Sequence, residues 1–186
     1  GSSTEDILNA ADKINADTIF VLPNNSNIIL ASNQAASIIE DKKLIVIPTK
    51  TIPQGITAMI NFELTRSADE NEKAMLESLS TVKSGQLTYA VRDTSIDGKE
   101  IKKDNYLGLG DNGLASVGTD MDDTLIDMLS EFVDDESELI SVYYGEDIDE
   151  NKAEELVYKI EEKFDGVDVE LQYGGQPVYY YIVSVE

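Results

Sequence analysis

The sequence predicts an α/β chain in two lobes: a small parallel βαβ lobe over residues 4–66, then an α+β lobe over residues 67–186 that holds an antiparallel meander. Three observations carry that reading. Two short apolar runs, Thr18 to Leu22 and Leu44 to Ile47, flank a helical pattern from Ile28 to Ile39, and strands joined through one helix run parallel. From Gly85 the hydrophobic period drops to two, and Asp97-Gly98 and Asn112-Gly113 are strong hairpin-turn pairs. A polar joint, Ser67 to Glu70, separates the two patterns.

Each element has its own local warrant. Thr4 to Asn15 reads as a helix capped by Ser3 or Thr4, with Ile7, Leu8, Ala11 and Ile14 on one face and Glu5 and Asp6 in the first turn. Pro23 stops the strand from Thr18, because proline cannot donate to a ladder. Asn24, Asn25, Ser26 and Asn27 then suit a tight turn and an N-cap. Ligands of open parallel sheets gather at the carboxyl ends of strands, which makes Asn24, Asn25 and Asn27 a candidate ligand loop; a purely structural turn fits the same residues, and both stay open. Pro48 ends the second strand, and Thr51 to Phe62 is a helix that tolerates Pro53 in its first turn. Asp69 to Leu79 is helical, turning Ala74, Met75 and Leu79, and Val82 beyond it, to a core.

In the second lobe Leu87, Tyr89 and Val91 alternate with Gln86, Thr88 and Ala90, so Gln86 to Val117 reads as the meander. Thr119 caps a helix from Asp120 to Val133 with an apolar stripe of Met121, Leu125, Met128, Leu129 and Phe132. At ~100° per residue, Asp123, Asp127, Glu131 and Asp134 share another face. Leu139 to Tyr144 is a strand. Asp149 or Asn151 starts a helix to Phe164 that buries Ala153, Val157, Ile160 and Phe164. Val167 to Tyr173, a Gly174-Gly175 turn and Val178 to Val185 close the chain as strands; of the tyrosines dense there, alternate members face opposite sides, some for the core and some for a partner surface.

Composition narrows the chemistry. The chain has no cysteine and no histidine, which removes disulfides, thiolate or imidazole metal sites and every histidine-based triad. No run reaches the ~20 apolar residues of a membrane span and no signal peptide opens the sequence, so the expectation is a cytoplasmic protein without membrane insertion. Gly1 and Ser2, with Ser3, read as an expression scar ahead of a piece of a longer protein. The net charge of -23 argues against nucleic acid, whose affinity comes from Lys and Arg. Residues 1–103 carry 11 basic and 14 acidic side chains, residues 104–151 none and 15, residues 152–186 3 and 8. Such a lopsided field steers a basic protein partner toward the central segment.

Three motifs suggest a site and are set aside. Gly108-Leu109-Gly110-Asp111-Asn112-Gly113 satisfies the dinucleotide pattern G-x-G-x-x-G, but it leads into a strand in the segment without bases. Asp147, Asp149 and Asn151 imitate the first ligands of an EF-hand, but Lys152 stands at the turn glycine and Tyr158 at the bidentate glutamate. Paired carboxylates such as Asp122 with Asp123 read as a solvated face.

Four stretches carry a resemblance: LPNNSNIILASNQAA from Leu22, LIVIPTKTIPQGITAMINF from Leu44, YLGLGDNGLASVG from Tyr106 and VDVELQYGGQPVYYYIVSVE from Val167. Together they resemble the C-terminal domain of FakA, the ATP-binding component of bacterial fatty-acid kinase, whose N-terminal part resembles dihydroxyacetone kinase. The resemblance implies a DegV-like fold and a non-catalytic role in lipid metabolism, with ATP and Mg bound by the missing N-terminal domain and no cofactor here. It implies engagement of FakB, the acyl-binding DegV-family protein that presents the fatty-acid carboxylate for phosphorylation. DegV-type binders hold the carboxylate with Thr, Ser and His groups, and this chain has no histidine. Joined to the charge pattern, this makes Asp123, Asp127, Glu131 and Asp134, with Glu146 and Asp147 behind them, the expected partner-binding residues. The alternatives are a small-ligand or acyl-chain site at Asn24, Asn25 and Asn27, or a structural, dimerising domain.

Overall fold

Pro23 and Pro48 each follow a short apolar strand, and the two strands lie side by side. The computed structural model describes residues 2–186; Gly1, part of the expected scar, lies outside the described residues. The chain divides into two compact units, Gly1–Val82 and Lys83–Glu186.

In the first unit β1 (Thr18–Val21) pairs in parallel with β2 (Lys43–Val46), joined by α2 (Ser26–Ile38), as the spacing predicts. α1 (Ser2–Asp12) starts ahead of the expected Ser3 or Thr4 cap and stops before Ile14, and Thr4 is a buried helical residue whose hydroxyl donates to Gln34 Oε1 at 3.0 Å. Ala11, Ala35 and Leu44 form one small core. α3 (Ile52–Ile60) is capped by Thr51 and carries Pro53 in its first turn. α4 (Ala68–Leu79) opens on a capping box of Ser67 and Glu70.

The Ser67 joint falls inside this unit rather than between units. Met75 of α4 packs with Ile45, Ile47 and Ala58, and buried Asn71 accepts from Glu63 N–H at 3.0 Å and donates to its carbonyl at 2.8 Å. A loop pinned to the next helix at both backbone groups is not a linker.

The second unit is a six-stranded sheet in the order β7-β6-β3-β10-β8-β9. Its strands are β3 (Lys83–Tyr89), β6 (Tyr106–Gly110), β7 (Gly113–Gly118), β8 (Leu139–Tyr144), β9 (Asp168–Tyr173) and β10 (Tyr181–Val185). β8 and β9 are parallel across α6 (Glu150–Lys163); the other pairs are antiparallel. The expected meander is interrupted, because β4 (Thr94–Ile96) and β5 (Lys99–Ile101) leave it as a separate hairpin at Asp97-Gly98, and Val91 lies beyond the end of β3. Gly174-Gly175 makes no hairpin either. The chain passes β8 and inserts β10 between β3 and β8, where all five residues are buried.

α5 (Met121–Phe132) and α6 pack through one cluster that includes Leu125, Met128, Leu156, Ile160, Tyr181 and Val183. On α6 the buried positions are Ala153, Leu156 and Ile160, with Leu156 in place of the expected Val157. α5 comes close because the strands beneath it carry glycine: a Cβ at Gly85 would stand 2.7 Å from Met128 Sδ, and one at Gly110 2.8 Å from the Phe132 ring. No helix among the described residues is long and apolar enough to cross a membrane.

Candidate functional site

Helix α5 is capped by Asp120, not Thr119: the Asp120 carboxylate accepts from Asp123 N–H at 3.0 Å. With Leu125, Met128 and Leu129 turned inward, Asp123, Asp127 and Glu131 stand in solvent, and none forms an ion pair among the described residues. Asp134 is different in kind. It lies past the helix end and accepts from Lys83 Nζ at 3.0 Å, from Glu136 N–H and from Ser137; the Lys83 bond, ahead of the others, holds its carboxyl below the ordinary range. Three of the four carboxylates expected on this face are therefore uncommitted, and the fourth is tied into the fold.

Glu146 and Asp147 are exposed in the loop between β8 and α6, where Glu146 N–H donates to Gln176 O at 3.1 Å. Asp149 caps α6 by accepting from Lys152 N–H at 2.9 Å, a structural use of the residues that imitate a calcium loop. The glycine-rich run also has a structural account: Gly108 and Gly110 give room to α5, and Gly113, at φ 109°, turns β6 into β7.

Asp122 overturns the reading of a solvated pair. It is buried, and its Oδ2 accepts from Lys159 Nζ of α6 at 2.8 Å; that hydrogen bond raises the Lys159 pKa. Its Oδ1 and the hydroxyl of fully buried Tyr181 have no hydrogen-bond partner among the described residues. Burial, and then the Asp122 charge, push the Tyr181 hydroxyl pKa up.

The three asparagines after β1 separate into two roles. Asn24 takes a left-handed conformation, φ 55°, and its N–H donates to buried Thr49 Oγ1 at 2.9 Å, tying the end of β1 to the segment after β2. Its amide lies on Gly55 of α3, where any Cβ would collide with it. Asn25 caps α2, accepting from Asn27 N–H at 2.8 Å, and both stay exposed. Gly55 was legible as a glycine that permits close packing, and the Asn24 amide is what packs on it; sequence reasoning missed Thr49, whose only sign was its place in IPTKTIPQG, shortly after the second strand. An apolar cavity of about 220 Å³ in the same unit is lined by Phe20, Leu22, Met59, Phe62 and Met75.

The family of FakA-like C-terminal domains of fatty acid kinase matches residues 2–186. Protein YloV of Bacillus subtilis (strain 168) is 45% identical over 184 residues, which is 99% of this chain and 33% of that protein. An uncharacterized protein of Staphylococcus aureus (strain MRSA252) is 45% identical over the same shares. The chain thus spans about a third of the length of the curated relatives it matches. Among solved structures, a DegV-family protein from Ruminococcus gnavus superposes with a TM-score of 0.65 at 11% identity, over 98% of this chain and 76% of that one. The Streptococcus pneumoniae fatty acid kinase B3 protein loaded with linoleic acid gives 0.65 at 15%, over 98% and 75%. At such identities the likeness is one of fold, and the fold is DegV-like.

Proposed function

The chain belongs to the FakA-like C-terminal family of fatty acid kinase, and from that membership we propose that it is the docking domain of a cytoplasmic fatty-acid kinase. In this reading it binds the acyl-loaded DegV-family protein and catalyses nothing itself. A separate domain holds ATP and magnesium and phosphorylates the bound fatty acid. The observation that carries the reading is the uncommitted row Asp123, Asp127 and Glu131, in a 48-residue segment, 104–151, that contains no basic residue. Exposed charge of one sign raises the encounter rate with a basic partner surface and is screened over ~10 Å at 0.1 M salt.

Direct acyl binding is the second reading, favoured by the likeness in fold to a protein described as loaded with linoleic acid. Its pocket is a weak fit. The apolar cavity, about 220 Å³, falls below the ~300–1,000 Å³ of ordinary small-molecule sites.

Calorimetric titration of the chain with a purified acyl-loaded DegV-family carrier tests the first reading. Binding that weakens between low and moderate salt is expected, and absence of binding at both overturns it. A thermal shift with free fatty acid tests the second, since ligand at ~100 times its dissociation constant adds about 2.7 kcal/mol.

A further inference from the structure

Every strand of the six-stranded sheet except β7 brings a tyrosine to one rim. Tyr106 of β6 faces Tyr89 of β3, Tyr181 of β10 faces Tyr144 of β8, and Tyr144 faces Tyr173 of β9. Tyr180, just ahead of β10, lies against Tyr89 and Tyr106 with ring centroids 5.8 and 5.9 Å away, and Tyr144 stands 5.2 Å from Tyr173. Tyr181 belongs to the core, but the row opens outward: Tyr89 is 40% exposed and Tyr173 65%.

The loop that leads into β10 is built tightly at this rim. Gln176 Nε2 donates to Tyr143 O at 3.1 Å and to Tyr179 O at 3.3 Å, and Gly145 N–H donates to Tyr180 O at 2.8 Å. Tyr179 N–H donates to Pro177 O at 2.7 Å, closing a three-residue turn around Val178 at φ 70°. A γ-turn with positive φ is the rare and strained kind, and a β-branched residue there is a steric outlier. Glycine would fill the position without strain. Valine stands there instead, 62% exposed, and its carbonyl accepts from Thr88 Oγ1 at 3.3 Å. Strain that the surrounding structure enforces collects at binding sites.

Carboxylates border the rim on the α6 side. Glu146, Asp147 and Glu150 are exposed, and none forms an ion pair among the described residues. Lys152 stands two residues past Glu150 on α6 without an ion pair to these carboxylates among the described residues, and Arg92, Lys102 and Lys103 flank the β4–β5 hairpin.

We propose that the tyrosine rim, with Val178 held out at its tip, is the contact on which a partner protein seats a segment carrying arginine beside apolar side chains. A guanidinium stacks on tyrosine faces and bonds carboxylates in the same geometry, which suits a rim of Tyr144, Tyr173, Glu146 and Asp147. Valine supplies the apolar anchor. This inference rests on the docking function above and locates its tightest part: the α5 face sets the encounter rate, and the rim sets how long the complex lasts.

The test is titration of the 186-residue chain with the acyl-loaded DegV-family carrier, comparing wild type, Val178→Gly and Tyr173→Ala, with a melting curve for each. Val178→Gly is expected to melt higher than wild type, because glycine takes the positive φ freely, and yet to bind about tenfold more weakly. Tyr173→Ala is expected to bind about tenfold more weakly, with a melting temperature lowered only by the loss of its ring contact with Tyr144. Opposite movements of stability and affinity are what a merely structural turn does not produce. Wild-type affinity in both variants overturns the rim as the contact and leaves the docking function standing. A wild-type chain that binds no carrier overturns the docking function, and the rim with it.

Discussion

The two units divide the molecule's charge and apolar surface in opposite ways. Gly1–Val82 holds 6 basic and 11 acidic side chains, and Lys83–Glu186 holds 8 and 26. The first unit gathers its buried apolar groups into two small clusters around a two-stranded sheet and leaves Met59, Ile60 and Leu64 in solvent, Leu64 at 90%. The second closes one large cluster between its sheet and both helices, adds a small one around Ile101 at the β4–β5 hairpin, and puts carboxylates outside. The lesson is that the second unit carries its own stability and can offer its surface to a partner, whereas the first depends on a few side chains. Small cores and two-stranded sheets are marginal on their own.

The chain has no tryptophan, and all nine tyrosines lie in the second unit, so tyrosine near-UV dichroism reports on that unit alone. The largest expected effect is Val183→Asp. It places an unpaired charge at a fully buried position of central strand β10, at a cost above about 4 kcal/mol, and abolishes the tyrosine signal. Met75→Ala comes next: about 2–5 kcal/mol, read as loss of helical signal from the first unit while the tyrosine transition stays in place. If the tyrosine transition moves by as much, the two units unfold as one and the contrast fails.

Gly55→Ala sharpens the picture within the first unit. The added methyl displaces the Asn24 amide, at about 1–3 kcal/mol, again without a change in tyrosine signal. pH gives a smaller effect confined to the second unit. Burial raises the Tyr181 hydroxyl above its ordinary 10.0, so the stability it lends is complete below pH 10 and is lost as pH rises through the folded value. Alkaline titration is therefore expected to destabilise the second unit, with a shallower dependence in Tyr181→Phe.

What the sequence disclosed follows the range of the signal. The β1-α2-β2 unit was legible because its strands, its proline stops and its asparagine cap are all local. The place of β10 was not: an apolar run announces a buried strand, but which strands flank it is set by pairing with β3 and β8, far away in sequence. Asp122 looked like its exposed neighbours because the partner that lets it be buried, Lys159, is 37 residues on. Gly108 and Gly110 fit a phosphate loop and a close helix contact equally as letters, and only the approach of α5 separates the two. The acidic row on α5 was legible as a helical face, but not the diversion of Asp134 to Lys83.

The central claim is that the exposed carboxylates of the second unit meet a basic partner. Its most direct test is the association rate of the chain with the acyl-loaded DegV-family carrier, followed across ionic strength for wild type and for Asp123→Lys with Asp127→Lys. Asp127 is exposed in mid-helix, whereas Asp123 is exposed in the first turn of α5, where a lysine opposes the helix dipole at up to about 1 kcal/mol. A melting curve of the double variant therefore accompanies the rates and establishes that they are read on folded chain. The account predicts a wild-type rate that falls steeply with salt, and a double variant that associates more slowly with a flatter dependence. Equal rates with equal salt slopes would contradict it and leave the acidic face as surface that only keeps the protein dispersed.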